Sequence, residues 1–306
     1  MFFCQSSIGV LAILFVSLPS VAPAAKMRPQ FSGKSFPIYG SDHRIEVYAE
    51  PNAARRKLAE ATLAVISAEA LISVDKDSMR INAASFAEEY GLCRGERFQN
   101  QQTAADCTAF LITPRRIATA GHCVSNLAEC RQFKFVFGYM YTTANSNPYL
   151  IAKRNIYSCR RIIKTQQPLG DTEITPDFAV IELDRLVPDH RPLNLRKKGR
   201  LQPGEKLFLI GHPAGLPAKI ADGAWVRRIH DGLFESNVPA YGGNSGSPVF
   251  NVASNDVEGI LVTGEDDFIE LVDRNHRTCQ VSLHCKHTAC IGEDSTPATL
   301  LLPYLH

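Results

Sequence analysis

The sequence predicts an all-β fold, a sandwich or a barrel, from Cys107 onward. Short runs rich in β-branched and aromatic residues recur there: Ala109–Thr113, Arg116–Thr119, Phe133–Phe137, Ile151–Tyr157, Phe178–Leu183, Lys206–Ile210, Ala224–Ile229, Ser247–Val252 and Val257–Val262. Such side chains fit a pleated, half-buried surface. Turn residues punctuate the runs at Pro114, Gly138, Pro148, Pro176, Pro188, Pro203-Gly204 and Gly211, where the backbone must reverse. No long helical periodicity follows residue 107, which leaves strands as the building material. No internal repeat stands out.

Residues 1–24 read as a signal peptide. Ile8 to Leu18 is apolar but shorter than the roughly 20 residues a membrane helix needs, and Ala22-Pro23-Ala24 has the small-x-small form of a cleavage site. Its one departure from pattern is an n-region without Lys or Arg. Residues 25–44 are rich in Pro, Gly and Ser and read as extended. Ala53 to Glu60 is a short helix with Asn52 as N-cap. Thr62–Ile66 either continues that helix or starts a strand. Residues 75–105 are polar and match neither period. The segment 25–85 is therefore a propeptide or a partly helical N-terminal extension, and 86–306 the main domain. Pro188 to Gly204 joins two β halves.

Composition narrows the function. The 306 residues carry a formal charge of +2, which gives no electrostatic case for nucleic acid or a membrane surface. The run Arg196-Lys197-Lys198-Gly199-Arg200 reads as a solvated loop. Of nine cysteines, Cys4 lies in the leader; the others are Cys93, Cys107, Cys123, Cys130, Cys159, Cys279, Cys285 and Cys290. An even number in an exported chain reads as disulfides. A zinc site at Cys279, Cys285 and Cys290 with His284 and His287 lacks the usual paired spacing. No metal or cofactor is expected. The expected partner is a protein or peptide substrate, and the expected state a secreted or periplasmic monomer.

Three short motifs carry the chemistry. Thr119-Ala120-Gly121-His122-Cys123 ends a hairpin, and His122 can act as a base. A Cys107–Cys123 bridge would hold its loop, worth roughly 3 kcal/mol for a closed loop of about 15 residues. Thr175-Pro176-Asp177-Phe178 puts a carboxylate at the head of an apolar strand, where it can orient an imidazole; Asp171 and Asp184 compete for that role. Gly242-Gly243-Asn244-Ser245-Gly246-Ser247-Pro248 wraps a hydroxyl in glycines. A serine attacks well only when a base takes its proton and backbone N–H groups meet the developing oxyanion. Here those are the amides of Gly243 and Ser245. His212, in Gly211-His212-Pro213, reads as a shaper of a substrate-side loop.

In this order, Thr-Ala-Gly-His-Cys, Asp-Phe-Ala-Val-Ile and Gly-Asn-Ser-Gly-Ser-Pro resemble the chymotrypsin-like serine peptidases. The closer resemblance is to the bacterial V8-like, glutamyl-endopeptidase-like branch, over about residues 90–265. It implies two perpendicular Greek-key β-barrels with the site between them. It also implies a catalytic set of His122, Asp177 and Ser245 acting through an acyl-enzyme. Ala240, Tyr241, Leu261, Val262 and Thr263 would bind substrate, the last three by pairing as an added strand. The pattern breaks in three places. No acid stands about six residues before Ser245, where trypsin-type specificity needs one. Leu261 stands where glutamyl endopeptidases carry a pocket histidine. Asn244 replaces the aspartate that binds a freed N-terminus in trypsin-like zymogens. An uncharged P1 residue follows from the first two. Beyond Cys107–Cys123, Cys130 and Cys159 could join neighbouring strands; Cys93 and the three C-terminal cysteines leave three connectivities. The rival functions are a catalytically silent binding relative, which should have lost part of the set, and a periplasmic quality-control protease, which needs a further peptide-binding domain.

Overall fold

The computed structural model describes Met1 and residues 38–168, 175–264, 267–272 and 277–306. The predicted leader and the competing Asp171 lie outside these. Twelve strands form two closed rings. The first ring contains Thr62–Ser67 (β1), Ala105–Thr113 (β2), Arg116–Thr119 (β3), Phe133–Phe137 (β4), Ile156–Gln166 (β5) and Phe178–Leu183 (β6). The second contains Lys206–Gly211 (β7), Lys219–His230 (β8), Leu233–Ser236 (β9), Pro248–Asn251 (β10), Val257–Thr263 (β11) and Glu293–Pro297 (β12).

Around the first ring the neighbours run β1-β2-β3-β6-β5-β4, and around the second β7-β8-β9-β12-β11-β10, all antiparallel. The two rings thus share one topology. In each, the fourth strand returns beside the first, the Greek-key arrangement. Closure removes the unpaired edges an open sheet would leave. The linker 184–205 joins the rings.

Alternation along β7 shows how the rings meet. Leu207 and Leu209 pack into the core of the second ring with Val226, Phe234, Ala240 and Leu261. Phe208 and Ile210 point the other way, into a cluster shared with Phe110, Ile117 and Phe135 of the first ring. A strand buried on both faces reads as a continuous apolar run, as Leu-Phe-Leu-Ile does.

The structure resolves several sequence expectations and corrects others. Thr62–Ser67 is a strand, hydrogen-bonded on both sides to β2 and β4. A boundary at residue 86 therefore cuts through the first ring. Arg44–Glu46 also pairs with β8, so the chain from Ile38 onward is part of the fold. Asn52 does cap the helix Ala53–Ala59, accepting from the amides of Ala54 and Arg55. The run Ile151–Tyr157 is two strands, Leu150–Ala152 and β5, separated by a tight turn at Lys153–Asn155. The C-terminal stretch supplies β12, the stave between β9 and β11. Four disulfides join Cys93–Cys279, Cys107–Cys123, Cys130–Cys159 and Cys285–Cys290. With all three C-terminal cysteines bonded, the thiolates a zinc site would need are gone.

Candidate active site

His122 sits in the tight turn Gly121–Cys123 that follows β3. Asp177 stands immediately before β6, which pairs with β3. The pairing carries the carboxylate to the histidine turn. Asp177 Oδ1 accepts the amides of Gly121 at 2.6 Å and His122 at 3.1 Å. Oδ2 lies 2.5 Å from His122 Nδ1. A carboxylate can only accept, so Nδ1 carries the proton and Nε2 is the ring's acceptor. Asp177 is 5% exposed, where ion-pair and hydrogen-bond partners count for more than in water. Its own amide donates to Thr296 Oγ1 at 2.9 Å, and that hydroxyl donates back to Asp177 O at 2.8 Å. Thr296 belongs to β12, so the second ring fixes the carboxylate held by the first.

Gly121 is required by space. A Cβ there would stand 2.0 Å from Gln166 O and 2.8 Å from Asp177 Oδ1. The Cys107–Cys123 bridge ties the turn to β2. Cys123 Sγ lies 3.7 Å from Ser245 O, which brings the serine turn against the histidine turn. Asp184 stands just past the far end of β6, exposed, and pairs with Arg185.

The serine turn is held by its backbone. Ser245 O accepts the Thr108 amide at 2.8 Å, and Gly243 O accepts Thr108 Oγ1 at 2.8 Å. Gly246 N donates to Leu261 O at 2.7 Å, and Asn244 N to Tyr241 O at 2.9 Å. Gly243 and Gly246 have φ of +88° and +89°, a region that L side chains avoid. A Cβ on Gly243 would also stand 2.6 Å from His212 O, and one on Gly246 2.0 Å from Thr108 O.

His212 is buried beside this turn. Its Nδ1 donates to Leu216 O at 2.9 Å and its ring stacks on Tyr139. Burial pushes its pKa down to about 4, with the Lys219 charge adding to the effect and the Leu216 bond opposing it. Lys219 itself, buried with Glu46 and Gln101, is pushed down to about 8 by burial.

The expected substrate residues separate. Ala240 and Leu261 are fully buried in the second ring's core. Tyr241 is fully buried in a different cluster with Phe86, where Phe268 also packs. The main chain of Leu261 is already engaged within the fold: its amide donates to Ser247 O and its carbonyl accepts Gly246 N. Val262 and Thr263 follow it on β11, with Thr263 opposite Asp294 of β12. Sequence reading sought an acid before the serine and overlooked Glu293 on β12. Glu293 is fully buried and accepts from Tyr39 Oη at 3.3 Å. It lies opposite Ser236, two residues from Ser295, which lies opposite Leu261. Alternation puts Glu293 and Ser295 on one face, and the Ser236 and Ser295 hydroxyls there are buried without a hydrogen-bond partner. The only sequence signal is an acid within a polar Glu-Asp-Ser-Thr run that lacks the apolar alternation of a strand.

The family model of the trypsin-like peptidase domain matches residues 107–260, half of the chain, and spans both motif turns and Asp177. The chain belongs to the trypsin-like peptidase domain family. It is a serine endopeptidase. A search of the curated proteins finds no match. Among solved structures, a Glu endopeptidase in complex with MPD is similar at 18% identity and a TM-score of 0.47. That similarity covers 87% of this chain and 98% of the other.

Proposed function

We propose that the enzyme cleaves peptide bonds with Ser245 as nucleophile, His122 as general base and Asp177 as its orienting carboxylate. The observation that carries this is the Asp177 carboxylate. It binds two amides of the histidine turn and the imidazole Nδ1, so Nε2 is the acceptor a base must present. Ser245 Oγ attacks the scissile carbonyl and its proton passes to Nε2. The carbonyl electron pair moves onto oxygen, which the amides of Gly243 and Ser245 receive. Collapse breaks the C–N bond as His122 protonates the leaving amine. Water, activated by the same imidazole, then cleaves the ester and returns the proton to Ser245. Gly243, with φ at +88°, is the residue that lets the turn present its amides.

The motif set supports the V8-like branch, with a departure in specificity. Pro239 is uncharged six residues before Ser245, and Leu261 offers no cation to a P1 carboxylate. An uncharged P1 residue is the first reading, because a charged one would lose water without gaining a partner. The buried Glu293 beside Ser295 supports a second, a basic P1 residue. A peptide-library profile separates them, and dominance by P1 glutamate would reject both.

The four disulfides favour an oxidising compartment, and no helix among the described residues is long and apolar enough to cross a membrane. Secretion after loss of residues 1–24 fits both, as does action as a monomer on protein substrates. The test of mechanism is pre-steady-state kinetics with a chromogenic ester. A burst of alcohol equal to the enzyme concentration is expected; a linear trace with no trapped acyl-enzyme would reject the covalent route.

A further inference from the structure

We infer that Asp42 and Arg44, on the segment that precedes the first ring, are positioning residues for the nucleophile turn and act on it through Tyr241. The inference rests on the reading of Ser245 as nucleophile. Tyr241 is the last residue with a side chain before Gly242 and Gly243. Its carbonyl accepts the Asn244 amide at 2.9 Å and so closes the turn that presents Gly243. Glycines lose the most freedom on ordering, and donors to an oxyanion must be aimed before the reaction starts. A turn built from glycines therefore depends on what grips its ends.

At the upstream end that grip is a guanidinium. Arg44 is 2% exposed. Its carbon Cζ lies 4.1 Å from the centre of the Tyr241 ring, and one Nη lies 3.4 Å from Tyr241 Oη. Asp42 holds the fork from the other side: Arg44 Nε and Nη each donate to its carboxylate at 2.9 Å. Arg97 locks the segment by pairing with Asp42 at 3.0 Å and donating to the carbonyls of Asp42 and Arg44 at 2.8 Å each. Arg44 also pairs with Ala221 in the ladder to β8, which ties the clamp to the second ring. Phe86 and Phe268 pack against Tyr241 with tilted rings. A buried cation is costly unless paired; here the carboxylate and the ring face supply the pairing, and a flat fork suits both. The mature enzyme thus needs residues 42–44 in place, as part of the machine that orders its own oxyanion donors.

The test compares wild type with Arg44→Lys, which keeps the charge that Asp42 requires and loses the flat fork. The readouts are kcat and KM on a peptide amide, and the rate of labelling by an organophosphonate. Arg44→Lys is expected to lower kcat and the labelling rate together by about ten- to a hundredfold, less than the roughly 10²- to 10³-fold lost when a donor is removed outright, with KM within about threefold. Arg44→Ala opens a guanidinium-sized space, and added ethylguanidinium is expected to recover part of its kcat. Labelling of Arg44→Lys at the wild-type rate, or a loss that only tracks the folded fraction by near-ultraviolet circular dichroism, would overturn the inference alone. Failure of wild type to label at Ser245 would overturn both this inference and the nucleophile assignment.

Discussion

The histidine half and the serine half of the site are built by opposite means. On the histidine side, side chains do the placing. One carboxylate takes two amides and an imidazole, and a disulfide closes the turn. On the serine side the backbone does the placing. Four main-chain groups of residues 243–246 are bonded to Thr108, Tyr241 and Leu261, and two glycines adopt φ near +90°. The first half fixes a proton and a tautomer, which needs charge. In the proposed mechanism the second aims N–H groups, which needs backbone freedom from Cβ atoms. Loss of charge at Asp177 should therefore injure the first half, and a change of shape in the glycine turn the second.

The largest effect that tests this contrast is Asp177→Asn. The shape is kept, the charge is lost, and the amide can donate to Nδ1 and fix the wrong tautomer. A fall of about 10⁴-fold in kcat is expected, as in triads of this type, with an unchanged circular dichroism spectrum. Gly243→Ala is the mirror case. It adds one methyl and no charge, yet the methyl meets His212 O at 2.6 Å at a φ of +88°. Here kcat for a peptide amide should fall about 10²- to 10³-fold with KM little changed. A Gly243→Ala enzyme within a factor of three of wild type would end the claim that shape governs this half.

Smaller effects sharpen the comparison. Replacing Cys107 and Cys123 together by alanine should cost roughly 3 kcal/mol of stability in urea titrations. More catalytic loss than stability loss is expected, because the bridge carries the histidine turn. His212 titrates between the halves. Its folded pKa, about 4, lies below its unfolded value near 6.5. The stability it contributes is therefore complete above pH 6.5 and is lost as pH falls toward 4, because the unfolded chain binds the extra proton first. Loss of roughly 3 kcal/mol across that window is expected in wild type, and His212→Gln should flatten the curve there.

The reactive turns and their distant supports differed in how plainly the sequence showed them. Both motif turns were legible because a reactive side chain stood among small residues, and crowding explains the small residues: Gly121 faces Gln166 O, and Gly246 faces Thr108 O. Asp177 was legible as an acid at the head of an apolar strand. What supports these groups from a distance was not. Thr62–Ser67 is buried over five consecutive residues, so its pattern lacked the alternation that separates strand from helix. Glu293–Pro297 carries no apolar alternation because its polar side chains find buried partners far away in the chain, Thr296 at Asp177 and Glu293 at Tyr39. The shared strand order of the rings left no trace as a repeat, since topology constrains where strands pair and not which residues fill them.

The most direct measurement is peptide mapping by mass spectrometry after reaction with an organophosphonate. The account predicts one adduct per chain on Ser245, formed several orders of magnitude more slowly after His122→Ala, because the base placed to remove the hydroxyl proton is gone. An adduct elsewhere, or equal labelling of Ser245 without the imidazole, would contradict it.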